Sequence, residues 1–288
     1  MVGQALIPRL KASGYLVRTL TRNREKSGND AIFWDPSMNE IEAEKLEDVQ
    51  AVIHLAGENI ASGRWSKAKK VRILESRTKG TTLLAQTLAG FSKPPELLLS
   101  ASGINYYGDR GEDLLTEDEP PGKGFLADVC REWEAAAEPA EKAGIRVVRL
   151  RIGPVLSPEG GMLKKILPPF KAGAGGRVGS GNQYISWIAL PDLLAVMEFI
   201  LENPKARGAY NTVAPNPVTN AEFTRTLAKV LSRPAFLPVP AMGLRLTLGE
   251  MADEMLLAST RARPQRLEGE GFRFQYPELE SALRKVLK

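Results

Sequence analysis

The sequence predicts an α/β protein built on a doubly wound parallel sheet, with a small α/β C-terminal domain. Three observations carry this. Apolar runs of strand length, at 31–34, 51–55, 96–100 and 145–150, alternate with helical patterns. The runs AVIHL and ELLLS are apolar on both faces, as strands of a covered parallel sheet are. The chain also opens inside a βαβ unit: Met1 to Arg22 reads as helix, turn and strand, with no strand or Gly-rich turn ahead of it.

Taken in order, Leu6, Ile7 and Leu10 recur at helical spacing, and Ser13-Gly14 ends that first helix. Residues 15–20 follow as a β-prone run closing at Thr21-Arg22. Residues 35–47 are polar and irregular or weakly helical. After the AVIHL strand and Ala56-Gly57, residues 66–91 are helical, with Val71, Ile73, Leu74, Leu83, Leu84 and Leu88 available to an apolar face. Pro94-Pro95 breaks the pattern before the ELLLS strand. Residues 124–143 read as one long helix ending at Gly144, ahead of the strand at 145–150.

Beyond Arg151 the texture changes to a Gly-rich region, GAGGRVGSGNQ, flanked by Pro154, Pro158, Pro168 and Pro169. It lacks the Gly-Lys-Ser/Thr of a phosphate loop and reads as a lid, with Gln183 and Trp187 as pocket residues. Asp192 suits the N-cap of a helix over 192–201, and Thr219-Asn220 opens another over 221–231. Residues 232–240 are Pro-punctuated and extended, 249–259 helical, and 277–287 a last short helix. The organisation expected is a nucleotide-binding domain over 1–215 and a second over 216–288, sharing segments from about 157–190.

Composition sets limits. The chain has 288 residues, 43% hydrophobic and 25% charged, an ordinary globular balance. No apolar run has the length of a membrane span and no signal peptide opens the chain, so no membrane partner and a cytoplasmic location are expected. One cysteine, Cys130, allows no internal disulfide, and with a single histidine, His54, no zinc site is expected. The net charge of +5 is scattered, and the basic run 67–72 reads as a solvated helix face rather than a nucleic-acid footprint.

Three places carry chemistry. In a doubly wound nucleotide fold the end of the second strand meets the adenosine ribose; an acid there selects NAD and a base there pairs with the 2′-phosphate of NADP. Here that position holds Thr21 and Arg22, and no carboxylate comes before Glu25. The small residues Ala56-Gly57 end the His54 strand and allow a ligand close to the backbone. Ser102, Tyr106 and Tyr107 follow the ELLLS strand, where nicotinamide and substrate would meet, and a tyrosine of lowered pKa there would serve as acid or base.

These residues carry a resemblance. LTR, HLAGENI, Arg64-Trp65, Ser76-Arg77, SASGINYYGDRG, FLADVCREWEAAA, GSGNQYISWIALPDL, NTVAPNPVTNAEF, MADEMLLASTRARPQRL and GFRFQYPEL resemble the "epimerase family protein" group of atypical extended short-chain dehydrogenases/reductases, over essentially the whole chain. The resemblance implies a Rossmann-like NAD(P)-binding domain with a family-specific C-terminal domain. It implies NADP, rather than NAD, held by Gly3, Thr21, Arg22, Leu55, Ala56, Gly57, Arg77 and Val155.

Two departures qualify it. Gly3 would be the last glycine of a G-x-x-G-x-x-G turn whose strand and earlier glycines are absent. That strand would be the middle of the sheet, so two strands should face each other across a gap; the natural product is expected to begin upstream of Met1. The superfamily's Tyr-x-x-x-Lys pair is also absent: its helix reads Phe125-Leu126-Ala127-Asp128-Val129-Cys130. Ser102, Tyr106 and Tyr107 are the surviving catalytic set, and Cys130 reads as a buried helix residue. The expected function is an NADP-dependent oxidoreductase or epimerase acting on a nucleotide- or sugar-like small molecule. The rival is a non-catalytic NADP-binding protein with a protein partner, in cell division as some relatives' naming suggests.

Overall fold

The computed structural model describes all of residues 1–288. Helix α1, Val2–Ala12, buries Leu6 and Leu10 and stops where Gly14 takes a φ of +87°. Strand β1, Thr19–Thr21, pairs in parallel with β2, Ala31–Asp35, which turns antiparallel onto β3, Glu40–Ile41. Next come β4, Ala51–His54, and α2, Lys67–Ala89, whose first turn is capped by Ser66 accepting from the Lys69 N–H. Strand β5, Leu97–Gly103, and the short β6, Leu114–Leu115, precede α3, Phe125–Ala135, and α4, Glu138–Lys142. Strands β7, Arg146–Ile152, and β8, Val155–Leu156, lead to α5, Gly161–Lys171.

The remaining elements alternate more loosely. Strands β9, Tyr184–Ile185, and β10, Ile188–Ala189, precede α6, Leu190–Glu202. Then come β11, Gly208–Thr212, β12, Val218–Thr219, and α7, Asn220–Leu231, which opens on a full capping box between Thr219 and Glu222. Helices α8, Ala241–Leu248, and α9, Glu250–Ala252, run into one π-type turn at Asp253–Leu257. Strand β13, Arg261–Ala262, and helices α10, Gln265–Gly269, and α11, Leu279–Val286, end the chain.

The strands from the sheet expected of the fold lie in two separate sheets. One is ordered β11-β7-β5-β4 and the other β1-β2-β3, and no strand pairing joins β1 to β4. This is the gap anticipated from the order of elements. The lobes meet through side chains instead. Trp34 of β2 stands edge-on to His54 of β4 at 5.7 Å and lies over Gly80 of α2, where an added methyl would be 3.0 Å from its ring. Leu6 and Leu10 join α1 to α6 in the core that also holds Leu97, Leu99, Val148 and Leu150.

A second core gathers Leu163 and Phe170 of α5, Trp187, Phe223 and Leu227 of α7, and Leu279 and Leu283 of α11. The tail is stitched to the sheet domain by β13 pairing with β6 and β12 with β9.

Several expectations need correction. The first strand begins at Thr19, not Tyr15, and Leu16 is fully exposed. Val71 points to solvent, away from the apolar face of α2. The long helix at 124–143 is two helices, because Pro139, with no N–H to donate, begins a new first turn. Asp192 caps no turn of its own helix; it is buried and accepts from the backbone N–H groups of Gln275 (2.8 Å) and Tyr276 (3.0 Å), tying the tail to α6. Trp187 is buried in the second core, and Gln183 Nε2 donates to the Val178 and Leu256 carbonyls, so neither lines an open pocket.

Candidate functional site

The carboxyl ends of β1, β4, β5 and β7 define the site, as parallel topology requires. At β1, Thr21 Oγ1 accepts the Asn23 N–H at 3.1 Å. Arg22 is exposed and makes no hydrogen bond or ion pair, although its charge, after the hydrogen bonds from Ser37, is among the influences that hold the Asp35 carboxyl, at the end of β2, below its usual range. Arg24, by contrast, is taken: it pairs with Glu40 and stacks 4.0 Å over the Phe33 ring. Arg22 is therefore the one guanidinium at this strand end free to meet an anion.

At β4, the chain leaves through Leu55, Ala56 and Gly57. A methyl on Gly57 would stand 3.2 Å from Arg77 Cζ, so glycine makes room for this guanidinium. Arg77 Nη1 donates to the carbonyls of Glu58 (3.2 Å) and Ile73 (3.0 Å), and its plane lies 4.9 Å from the Trp133 ring. It braces the loop. Val155 lies just past β7, in β8. A methyl on Gly3 would meet only Leu55 Cδ1, at 4.0 Å, so packing does not demand glycine there. His54, directly below, is buried without a partner for Nε2, and burial holds it down at about 4, hence neutral.

The hydroxyls after β5 are not equivalent. Ser102 is 5% exposed, and its Oγ donates to Glu134 Oε1 at 2.8 Å. Arg151 grips the same carboxylate with Nε (2.9 Å) and Nη2 (3.0 Å). Its Nη1 donates to the Tyr107 hydroxyl at 2.9 Å. Tyr107 is wholly buried, also within hydrogen-bond distance of the Thr116 carbonyl and Asn211 Oδ1, and burial pushes its hydroxyl up to about 12. Ser102 and Tyr107 thus belong to a closed network behind the strand end, and the structure does not bring them to an open surface. Tyr106 is the half-exposed member. Its ring carries the Arg151 guanidinium at 3.6 Å, and burial raises its pKa, so the environment does not prepare it as a base. Cys130 is buried and pushed by burial up to about 12, an inert thiol.

Sequence reading missed the residues that organise this end. Glu134 lies on the buried face of α3, one turn after Cys130; a carboxylate on that face was the available signal. Glu254, in the MADEMLL segment, reaches across from the tail. Its carboxylate accepts the N–H groups of Phe125 (2.9 Å) and Leu126 (3.1 Å) at the start of α3. Gly124, at φ +115°, leaves the room: a Cβ there would lie 2.4 Å from Glu254 Oε1. Phe125 itself packs against Trp65 at 5.2 Å and under Lys70, which pairs with Glu250. The start of α3 is thus a corner covered by the tail.

Residues 1–213 match the NAD dependent epimerase/dehydratase family, and residues 239–286 match a domain of unknown function, DUF1731. "Epimerase family protein Mb2239" of Mycobacterium bovis is 40% identical over 283 residues, covering 98% of this chain and 93% of that protein. The human "Epimerase family protein SDR39U1" is 35% identical over 290 residues, covering 99% and 96%. A crystal structure of the human protein (isoform 2) with NADPH superposes with a TM-score of 0.89 at 33% identity, over 99% of this chain and 95% of that one. A Thermus thermophilus UDP-glucose 4-epimerase complex with NAD, 19% identical with a TM-score of 0.73 over 99% of this chain and 94% of that one, shares the fold. With a Rossmann-like sheet, these strand-end residues and matches along its whole length, the chain belongs to the NAD-dependent epimerase/dehydratase family, in the group of epimerase family proteins that carry the DUF1731 tail.

Proposed function

We propose that this protein binds NADP(H) in preference to NAD(H) across the carboxyl ends of β1 and β4, and works as an oxidoreductase or epimerase on a nucleotide- or sugar-like small molecule. The observation that carries the cofactor choice is Arg22: exposed, unpaired, at the end of β1, with no carboxylate between Thr19 and Arg24. A 2′-phosphate accepts charge-assisted hydrogen bonds from such a guanidinium, whereas an NAD-selective site places an acid there. The NADPH in the crystal structure of the human relative supports the same choice. When bound, the nucleotide supplies hydride transfer. The residues of this chain would orient it: Arg22 at the phosphate, Leu55 and Ala56 along the adenosine, and Arg77 bracing the loop between.

The second reading, a nucleotide-binding protein without turnover, draws on the hydroxyls. Ser102 and Tyr107 are spent on the Glu134–Arg151 pair, and no Tyr-Lys pair stands on α3. Titrating the protein with NADPH and NADH by calorimetry tests the cofactor choice; NADPH should bind at least tenfold more tightly, and equal affinities would refute it. Hydride exchange between bound NADPH and a panel of sugar-nucleotide and carbonyl compounds separates the two functions.

A further inference from the structure

The chain has nine strongly exposed large hydrophobic side chains, and four of them lie within eleven residues: Phe236, Leu237, Met242 and Leu246. Helix α8 buries no residue at all, and Met242 and Leu246, four apart, form one apolar ridge on it, each 73% exposed. Single exposed apolar residues are ordinary; this local concentration is not.

The charge around the ridge is equally one-sided. Residues 223–249 contain Arg225, Lys229, Arg233 and Arg245 and no acid. Residues 160–191 contain Lys164, Lys165, Lys171 and Arg177 and no acid. The fold zips these two segments together. Leu237 N–H donates to the Gly175 carbonyl (3.2 Å), Val239 N–H to Arg177 (2.8 Å), and Gly179 N–H to Val239 (2.9 Å). A methyl on Gly173 would touch Pro234 at 3.4 Å, so the two basic segments also meet there. Several acids of the adjoining helices are already engaged: Asp253 by Arg245, Glu280 by Lys229, Glu250 by Lys70 and Glu222 by Thr219. Lys164, Lys171 and Arg233 are exposed, and their side chains make no hydrogen bond or ion pair.

We infer that this basic, apolar-tipped strap, residues 233–248 with Lys171 and Arg177, is a contact surface for an anionic phospholipid bilayer. Protruding Phe, Leu and Met side chains on a short helix and an extended Pro-rich segment enter the headgroup boundary, and the surrounding cations meet the lipid phosphates. Met242 and Leu246 protrude as a ridge on α8, which suits a deformable lipid boundary better than a preformed protein partner. The expectation of no membrane partner came from the lack of a spanning segment, and no helix is long and apolar enough to cross a membrane. Surface contact needs no such helix. The inference is independent of the nucleotide reading.

Flotation with vesicles tests it. The protein should float with roughly 30% phosphatidylglycerol in phosphatidylcholine at about 0.1 M salt, at least about tenfold more tightly than with phosphatidylcholine alone, and detach at about 1 M salt. The double variant Lys171→Gln, Arg233→Gln should weaken binding about 25-fold, about fivefold per cation. Phe236→Ser with Met242→Ser and Leu246→Ser should abolish it with an unchanged melting temperature, since all three side chains are exposed. Phe236→Trp should shift its emission to the blue with the anionic vesicles and not with the neutral ones. Absence of wild-type flotation, equal binding to both vesicle types, or full binding by both multiple variants would overturn the inference. So would binding to a synthetic acidic Leu/Glu helical peptide without any to vesicles, which would assign the strap to a protein partner.

Discussion

Arg151 holds both carboxylate oxygens of Glu134, at 2.9 and 3.0 Å, with the two side chains 5% and 11% exposed. The pair is the hinge of the polar network. Through it Ser102 on β5, Tyr107 beyond β5 and α3 are fixed relative to one another. Removing one partner leaves a buried charge without compensation. Glu134→Gln should therefore destabilise the protein by about 3–5 kcal/mol, while Glu134→Gln combined with Arg151→Met should recover part of the loss. Urea denaturation of the three variants checks this; additive losses would show that the residues are not coupled.

Arg22→Ala should cost NADPH affinity about 1.5–3 kcal/mol and leave NADH affinity unchanged, because the guanidinium is needed only for the 2′-phosphate. Arg24→Ala should do less to affinity, since Arg24 is already paired with Glu40. Calorimetric titrations of both variants with both nucleotides decide it; parallel losses for NADPH and NADH would remove Arg22 from the phosphate.

The hydroxyls should separate by experiment. Tyr107→Phe deletes a buried hydroxyl bonded to Arg151 and Asn211 and should cost about 1–3 kcal/mol of stability. Tyr106→Phe should leave the melting temperature unchanged. If substrate turnover is found, a loss in Tyr106→Phe without a loss of NADPH affinity assigns Tyr106 to chemistry. Full turnover excludes it.

His54 gives a pH signature. Burial lowers its pKa to about 4 in the folded protein, against about 6.5 in the unfolded chain. The unfolded state therefore takes up the proton first. The stability associated with neutral His54 is complete above pH 6.5 and is lost as pH falls toward 4, about 3 kcal/mol in full. Melting temperatures of the parent and of His54→Gln between pH 7 and pH 5 should converge as pH drops, with the variant's profile the flatter of the two.

Gly124→Ala should be costly although it adds one methyl group. The backbone is at φ +115°, and the new Cβ would press on Glu254 Oε1. A loss of more than about 1 kcal/mol is expected, with Glu254→Gln producing a smaller one and the double variant less than their sum. Melting curves of the three measure it.

Much of the sheet was legible because its strands are short, apolar and separated by helical patterns. AVIHL and ELLLS land on β4 and β5, and Thr219-Asn220 opens α7 as read. What failed to show was long-range. Asp192 looks like an N-cap until Gln275 and Tyr276, more than eighty positions away, arrive at its carboxylate. Ser102 and Tyr107 look available until Glu134, Arg151 and Asn211 converge on them. Glu254 sits in a helical pattern that says nothing of α3. Periodicity reports which face of an element is covered, and not by what.

The break between β1 and β4 bears on how this domain opens. Strands β1–β3 share no ladder with the main sheet and are held to it by Trp34 against His54 and by the small cluster of Leu20, Ile41, Ala56, Leu83 and Leu84. Along this seam the two sheets meet through side chains rather than through a ladder, so their relative position rests on those contacts. Arg22 rides on the smaller sheet. Any nucleotide that bridges Arg22 and the β4 loop would therefore span the seam, and part of its binding energy would go into holding the two lobes together. Amide hydrogen exchange would register that restraint first at Leu20, Thr21 and Phe33, well before any change in the core around Leu99 and Val148.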